Sequence, residues 1–274
     1  MQNVLRKTAS INTLGASTFM KAPALDPQEA LTLTANLVIS QFILLAVGVA
    51  GAVVLAGLSS GDWGAAVLGL SWVGLVGQSL AASDLIPTIA AGCGLAALFT
   101  LVAYLFEQRA LSTETGRASI MRTRQGINGE LARLPLPALV ALMALTGFSE
   151  ELLFRFALMG IVEHLVALAL PAPAATIIAL FVASIAFWFS HVRYRDLATT
   201  VLTLGLALVL GIAFLVTESL AVVALAHALY NLCVLIIARV QMSRDPDYFG
   251  GPAPTRAMLD QLEREEKTNQ TPAE

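Results

Sequence analysis

The sequence predicts an all-α fold: a polytopic bundle of about eight transmembrane helices. Three observations carry this. Hydrophobic residues make up 57% of the chain and charged residues only 13%, against about a quarter charged in a soluble domain. Uninterrupted apolar runs reach the roughly 20 residues that a helix needs to cross a bilayer. None of them alternates as the strands of a spanning barrel would.

Taken in order, residues 1–35 form a polar lead. No apolar run before Leu31 is long enough for a signal-peptide core, so no cleaved leader is expected. Apolar runs at 36–57, 63–82 and 86–106 predict three N-terminal spans within 36–106, with Asp62 and Asp84 in the breaks. Gly64, Gly69, Gly74 and Gly77 in the second run predict close helix packing, which in lipid uses small residues. Residues 107–134 read as a cytoplasmic Arg-rich loop, with Arg109, Arg117, Arg122, Arg124 and Arg133 set among Glu107, Glu114 and Glu130. A second apolar block, 135–240, divides into runs at 135–170, 173–191, 197–216 and 219–240. The first of these is too long for one straight span, and Gly147 is the expected break, leaving 136–148 as a separate short helix. A soluble tail, 241–274, carries an acidic stretch at Asp260, Glu263, Glu265 and Glu266 on an expected short helix. Cys93 and Cys233 lie in apolar runs and read as packing residues.

Basic segments set the orientation. Placing 107–134, Arg193 with Arg195, and Arg239 with Arg244 in the cytoplasm puts the turns at Pro171 and Thr217-Glu218 on the far side. Pro171 is midway between Glu150 and His191, so both lie roughly 27–30 Å of helix from that turn, at matching depth. His227 lies only about 12–15 Å past the second turn, so its match is imperfect and needs tilt or a deeper turn. Three N-terminal spans would put the N-terminus outside, against the pull of Arg6, Lys7 and Lys21.

The second block nevertheless carries ionisable groups: Glu150-Glu151-Leu-Leu-Phe-Arg155, Phe187-Trp-Phe-Ser-His191 and His227-Ala-Leu-Tyr-Asn231. Such groups are costly in lipid and mark working sites. Glu151 and Arg155 are four apart and can pair. Glu150 is turned about 100° from Glu151, so the two carboxylates meet different neighbours. This assigns Glu150 to chemistry and Glu151 with Arg155 to architecture. A carboxylate beside His191 can hold and deprotonate a water. His227 and Asn231 share one helix face and can hold an oxyanion. The alternative is a zinc site with Glu150, His191 and His227 as ligands. No organic cofactor is expected.

Other patterns are weaker. Glu163-His164 lacks a second histidine at zincin spacing and reads as an interfacial pair. Gly57-Leu-Ser59-Ser-Gly61 fits G-x-S-x-G, but that elbow needs a strand-to-helix turn. No aspartate lies within an apolar run, which argues against an aspartyl intramembrane protease. The Arg-rich loop is explained as a cytoplasmic flank, and no nucleic-acid partner is expected.

Together Glu150-Glu151-x-x-x-Arg155, Phe187-x-x-x-His191 and His227-x-x-x-Asn231 resemble the CAAX prenyl protease and bacteriocin-processing (CPBP) family of intramembrane proteases. The resemblance covers roughly residues 145–235 and keeps the family's motif order. It implies that Glu150 and His191 activate water, and that His227 and Asn231 stabilise the oxyanion or complete the site. It implies an endopeptidase, metal-dependent or glutamate-dependent, acting on a membrane-associated peptide or protein within the lipid bilayer. A CAAX protein, a leader peptide and a sorting-signal tail are all candidate substrates. The Ala- and Leu-rich composition points to a bacterial or archaeal cytoplasmic membrane. Two competing readings are an ion-coupled transporter and a non-catalytic scaffold or immunity protein.

Overall fold

The computed structural model describes residues 25–191, 197–245 and 248–249. Arg6, Lys7 and Lys21, the Arg193–Arg195 loop and the acidic tail lie outside the described residues. Within them the protein is entirely helical. Six helices are long and apolar enough to cross a membrane by length and composition, and the expected count of about eight is roughly consistent with them.

Helix α1, Pro27–Ser60, opens where Asp26 accepts the Gln28 N–H at 2.8 Å and Pro27 sets the first turn. It closes at Gly61, whose φ of 69° is the left-handed cap that glycine favours. The run at 63–82 is not a span. It forms two short helices, α2 at Trp63–Val67 and α3 at Ser71–Leu80. Between them Leu70 adopts a φ of 54°, which no continuous right-handed helix accommodates. The glycines there do not serve close helix packing either, because Gly74 and Gly77 face open space. Helix α4 covers Leu85–Leu111.

The N-terminal half therefore supplies two helices long and apolar enough to cross, α1 and α4, rather than three. An even number of crossings returns the chain to its starting side. Two crossings there would leave the 25–26 end and the 112–135 connection on one side.

Residues 114–131 carry α5, Glu114–Gln125, and α6, Ile127–Leu131. Thr113 caps α5 by accepting the Gly116 N–H at 3.1 Å. Arg124 pairs with Glu107 at 2.8 Å and lies 4.3 Å from the centre of the Tyr248 ring. Gln125 donates to the Phe249 carbonyl at 2.8 Å. Tyr248 and Phe249 are buried against Leu134, Leu139 and Met242. Burial, reinforced by Glu107 and opposed by Arg124, pushes the Tyr248 hydroxyl up to about 12.

The chain then runs without interruption from Leu136 to Ala167. Helix α7, Leu136–Glu151, passes into a π-helical segment at Leu152–Leu158 and on into α8, Met159–Ala167. The expected break at Gly147 does not occur. Gly147 instead lets another helix approach: a Cβ there would stand 2.7 Å from the Ala224 carbonyl and 2.8 Å from the Ala228 methyl. The irregularity falls five residues later, in the π winding, a rare form found frequently at functional sites.

Helices α9, Ala172–Ser190, α10, Leu197–Thr217, and α11, Leu220–Arg244, complete the bundle. α11 packs mainly on α4 and α7, while α1 packs on α7 and the π segment. Arg239 ties the far end of α11 to the chain before α7 by donating to the Ala132 carbonyl at 2.8 Å and to the Leu134 carbonyl. Large side chains such as Ile39, Phe42, Leu101, Phe181 and Ile185 remain exposed, as an apolar band meeting lipid requires.

Candidate active site

The last turn of α7 presents two adjacent carboxylates, and the helical rotation separates them as expected. Glu151, fully buried, turns into the protein. Its Oε2 stands 3.1 Å from Arg155 Nε, while its Oε1 accepts from His227 Nδ1 at 2.7 Å. The helix arithmetic had left His227 too shallow. The difference closes because α11 begins inside the bundle: Ser219 and Leu220 are fully buried. Ser79 of α3 covers that turn, donating to the Glu218 carbonyl at 2.9 Å and accepting the Leu220 N–H at 3.2 Å.

Glu150 faces the other way. Its Oε2 lies 3.6 Å from His191 Nε2 and 3.9 Å from His227 Nε2. The equal depth that the turn count gives to Glu150 and His191 thus appears as proximity. Phe187 holds the group together. Its ring stacks on His191 at 4.4 Å, meets His227 edge-on at 5.8 Å, and lies 4.3 Å from the Arg155 guanidinium.

The hydrogen bonds assign the histidine tautomers. His191 Nδ1 lies 2.8 Å from the Phe187 carbonyl. A carbonyl only accepts, so Nδ1 carries the proton. The Glu151 carboxylate makes the same demand of His227 Nδ1. Both rings turn their Nε2 towards Glu150 Oε2, a buried atom that has no hydrogen-bond partner of its own. Among the described residues, however, no group of three or more His, Cys, Asp or Glu side chains is placed so as to hold a metal ion.

A cavity of about 400 Å³ reaches this cluster, touching Glu150, Phe187, His191, His227 and Asn231. Asn231 sits one turn beyond His227 on the cavity wall and does not hydrogen-bond the other residues of the cluster. The structure therefore brings Glu150, Glu151, Arg155, Phe187, His191 and His227 into one network, with Asn231 beside it. Glu163 lies elsewhere, accepting a hydrogen bond from Thr176. Ser59 lies in the last turn of α1, not in a strand-to-helix elbow. Both cysteines are free.

Sequence reasoning missed two features. One is the Glu151–His227 bond, which gives the second glutamate a partner beyond Arg155. The other is Gln41 of α1, whose carbonyl accepts the Ser149 hydroxyl at 2.6 Å, both side chains being buried. The signal for Gln41 was present, as an amide within the largely apolar run 36–57, with Asn36 and Ser40 before it.

Residues 132–233 match the family model of the type II CAAX prenyl endopeptidases, Rce1-like. The match begins just before α7 and ends within α11, so it includes every residue from Glu150 to Asn231 named above. It supports a CAAX-type intramembrane protease in general. The fold and this match together describe an integral, multi-pass membrane protein. No curated protein and no solved structure matches the chain.

Proposed function

We propose that this protein is an intramembrane endopeptidase that hydrolyses a peptide bond in a membrane-associated peptide or protein near the cytoplasmic face, with Glu150 as general base. The observation that carries the reading is the orphaned Glu150 Oε2 facing two imidazole Nε2 atoms at 3.6 and 3.9 Å. A water held there would donate one hydrogen to Glu150 and the other to His191.

Glu150 takes a proton as the water oxygen bonds to the scissile carbonyl carbon. His191 Nε2 accepts the other water hydrogen and fixes the attack direction. His227, protonated at both nitrogens, donates from Nε2 to the oxyanion, and Glu151 at Nδ1 stabilises that imidazolium. Asn231 supplies a second donor from its carboxamide. Collapse of the intermediate breaks the C–N bond, and the proton held by Glu150 passes to the leaving amine. Glu151 is thereby more than architecture, since it sets which nitrogen of His227 is available.

Zinc held by Glu150, His191 and His227 is the competing version of the same activity. Two Nε2 lone pairs and a carboxylate oxygen are the right donor chemistry. As placed they do not form a metal-holding group, so no step is derived through a metal. The purified protein, offered a prenylated CAAX peptide, a leader peptide and a sorting-signal tail, tests the reading. Cleavage of one of them, lost in Glu150→Gln and indifferent to a tight chelator, is the expected result. Loss on chelation with recovery on adding zinc would replace the water version by the metal one. Cleavage undiminished in Glu150→Gln would remove the proposed base.

A further inference from the structure

We infer that Gln41 of α1 binds the backbone of the substrate peptide next to the scissile bond. The inference rests on the protease reading above. Gln41 lies outside residues 132–233, in the half of the chain where no motif points to a site.

Two openings reach the reacting group. The large cavity approaches from α4, α10 and α11. A second opening lies between α1 and the end of α9, lined by Asn36, Ser40, Phe154 and Ser190. Only Gln41, Glu150 and His191 line both. Gln41 thus stands at the junction, beside the proposed base.

Half of its carboxamide is accounted for, since its oxygen accepts the Ser149 hydroxyl at 2.6 Å. The amino group has no hydrogen-bond partner among the described residues, yet it is not among the sealed, unsatisfied polar atoms. It is therefore not sealed off, and on the wall shared by the two openings it has two N–H donors to offer. A helix-packing role explains only the oxygen. A peptide lying across the junction presents carbonyl oxygens there, and an extended backbone needs donors along its length. Asn36 and Ser40 add polar groups to this part of α1, beside Ile39, Ile43 and Leu44 in the same lining.

The geometry separates two roles by mutation. Gln41→Met keeps the size and removes the donors. Ser149→Ala removes the interhelical bond and leaves the donors. On the peptide cleaved by the wild-type protein, Gln41→Met is expected to lower kcat/KM about tenfold, the worth of one good hydrogen bond. Ser149→Ala is expected to cost less than about threefold, as fits loss of an interhelical bond alone. Equal losses in the two variants, or an unchanged Gln41→Met, would overturn the inference.

A capture experiment supplies a second, independent readout. Gln41→Cys in the Glu150→Gln protein, with Cys93 and Cys233 replaced by Ala, should form a disulfide under a mild added oxidant with that peptide carrying a cysteine beside its scissile bond. If Asn231→Cys traps the peptide and Gln41→Cys does not, the inference fails. A wild-type protein that cleaves none of the three peptides sinks the protease reading itself, and Gln41 with it. Cleavage with indifferent Gln41 variants sinks the inference alone.

Discussion

The molecule builds a carboxylate, a guanidinium and an aromatic ring together twice. Inside the bundle, Glu151 pairs with Arg155 at 3.1 Å and the guanidinium lies 4.3 Å from the Phe187 ring centre. At its end, Glu107 pairs with Arg124 at 2.8 Å, 4.3 Å from the Tyr248 ring centre. The parts and distances are nearly the same, but the surroundings differ. The inner pair is 2% and 0% exposed, the outer 10% and 24%. In the inner site each charge depends on fixed protein partners, since Glu151 also meets His227 and Arg155 also donates to the Ala207 carbonyl. In the outer site water shares the work. Only the inner copy also holds imidazoles and a carboxylate oxygen without a partner. The outer copy joins elements, whereas the inner one also lies beside Glu150 and the two imidazoles.

Breaking the comparison at its reactive member should give the largest effect. Glu150→Gln keeps the shape of the side chain and removes the base, so turnover should fall about 10²- to 10⁴-fold while the thermal unfolding of the detergent-solubilised protein stays unchanged. A normal melting curve with normal turnover would show that Glu150 is not the base. Next comes Glu151→Ala, which strands a buried guanidinium and frees His227. It should destabilise the fold by about 3–5 kcal/mol, read as a lower denaturation midpoint together with lost activity.

The outer copy should respond far less. Arg124→Gln is expected to cost about 1 kcal/mol or less, with an effect that shrinks in high salt. A loss there matching that of Glu151→Ala would erase the distinction between the two regions. The smallest effect is in alkali. The Tyr248 hydroxyl stays protonated in the folded protein up to about 12, above its ordinary 10.0. The folded state binds this proton more tightly than the unfolded one. Its contribution is therefore intact below about pH 10 and is lost as the pH rises towards about 12. Tyr248→Phe should flatten the stability profile in that window, measured by unfolding at stepped pH.

What could be read from the sequence was what counting along a helix can reach. Glu151–Arg155 followed from a four-residue spacing, and Glu150–His191 from equal lengths either side of Pro171. Counting failed wherever the backbone departs from regular geometry or where partners lie far apart in the chain. Residues 63–82 are apolar enough to span, and only the left-handed Leu70 shows that they do not. His227 was placed too shallow because nothing in its own helix reveals that Ser219 and Leu220 start inside the protein. Gln41 and Ser149 are separated by 108 positions, and no periodic pattern connects them. The family match stops short of α1, so it gave no guidance there either.

The wider winding at Leu152–Leu158 has a mechanical meaning for the long span it interrupts. A regular helix advances about 100° per residue, so its two ends are rigidly phased to each other. The π stretch uncouples them. α7 can stay clocked to α1 and α11, where the two glutamates face their separate neighbours, while α8 is clocked independently to α9. Deleting one residue from that stretch would restore regular winding only by swinging one of those faces away from its partner, either the acids from the imidazoles or α8 from the helix that carries His191.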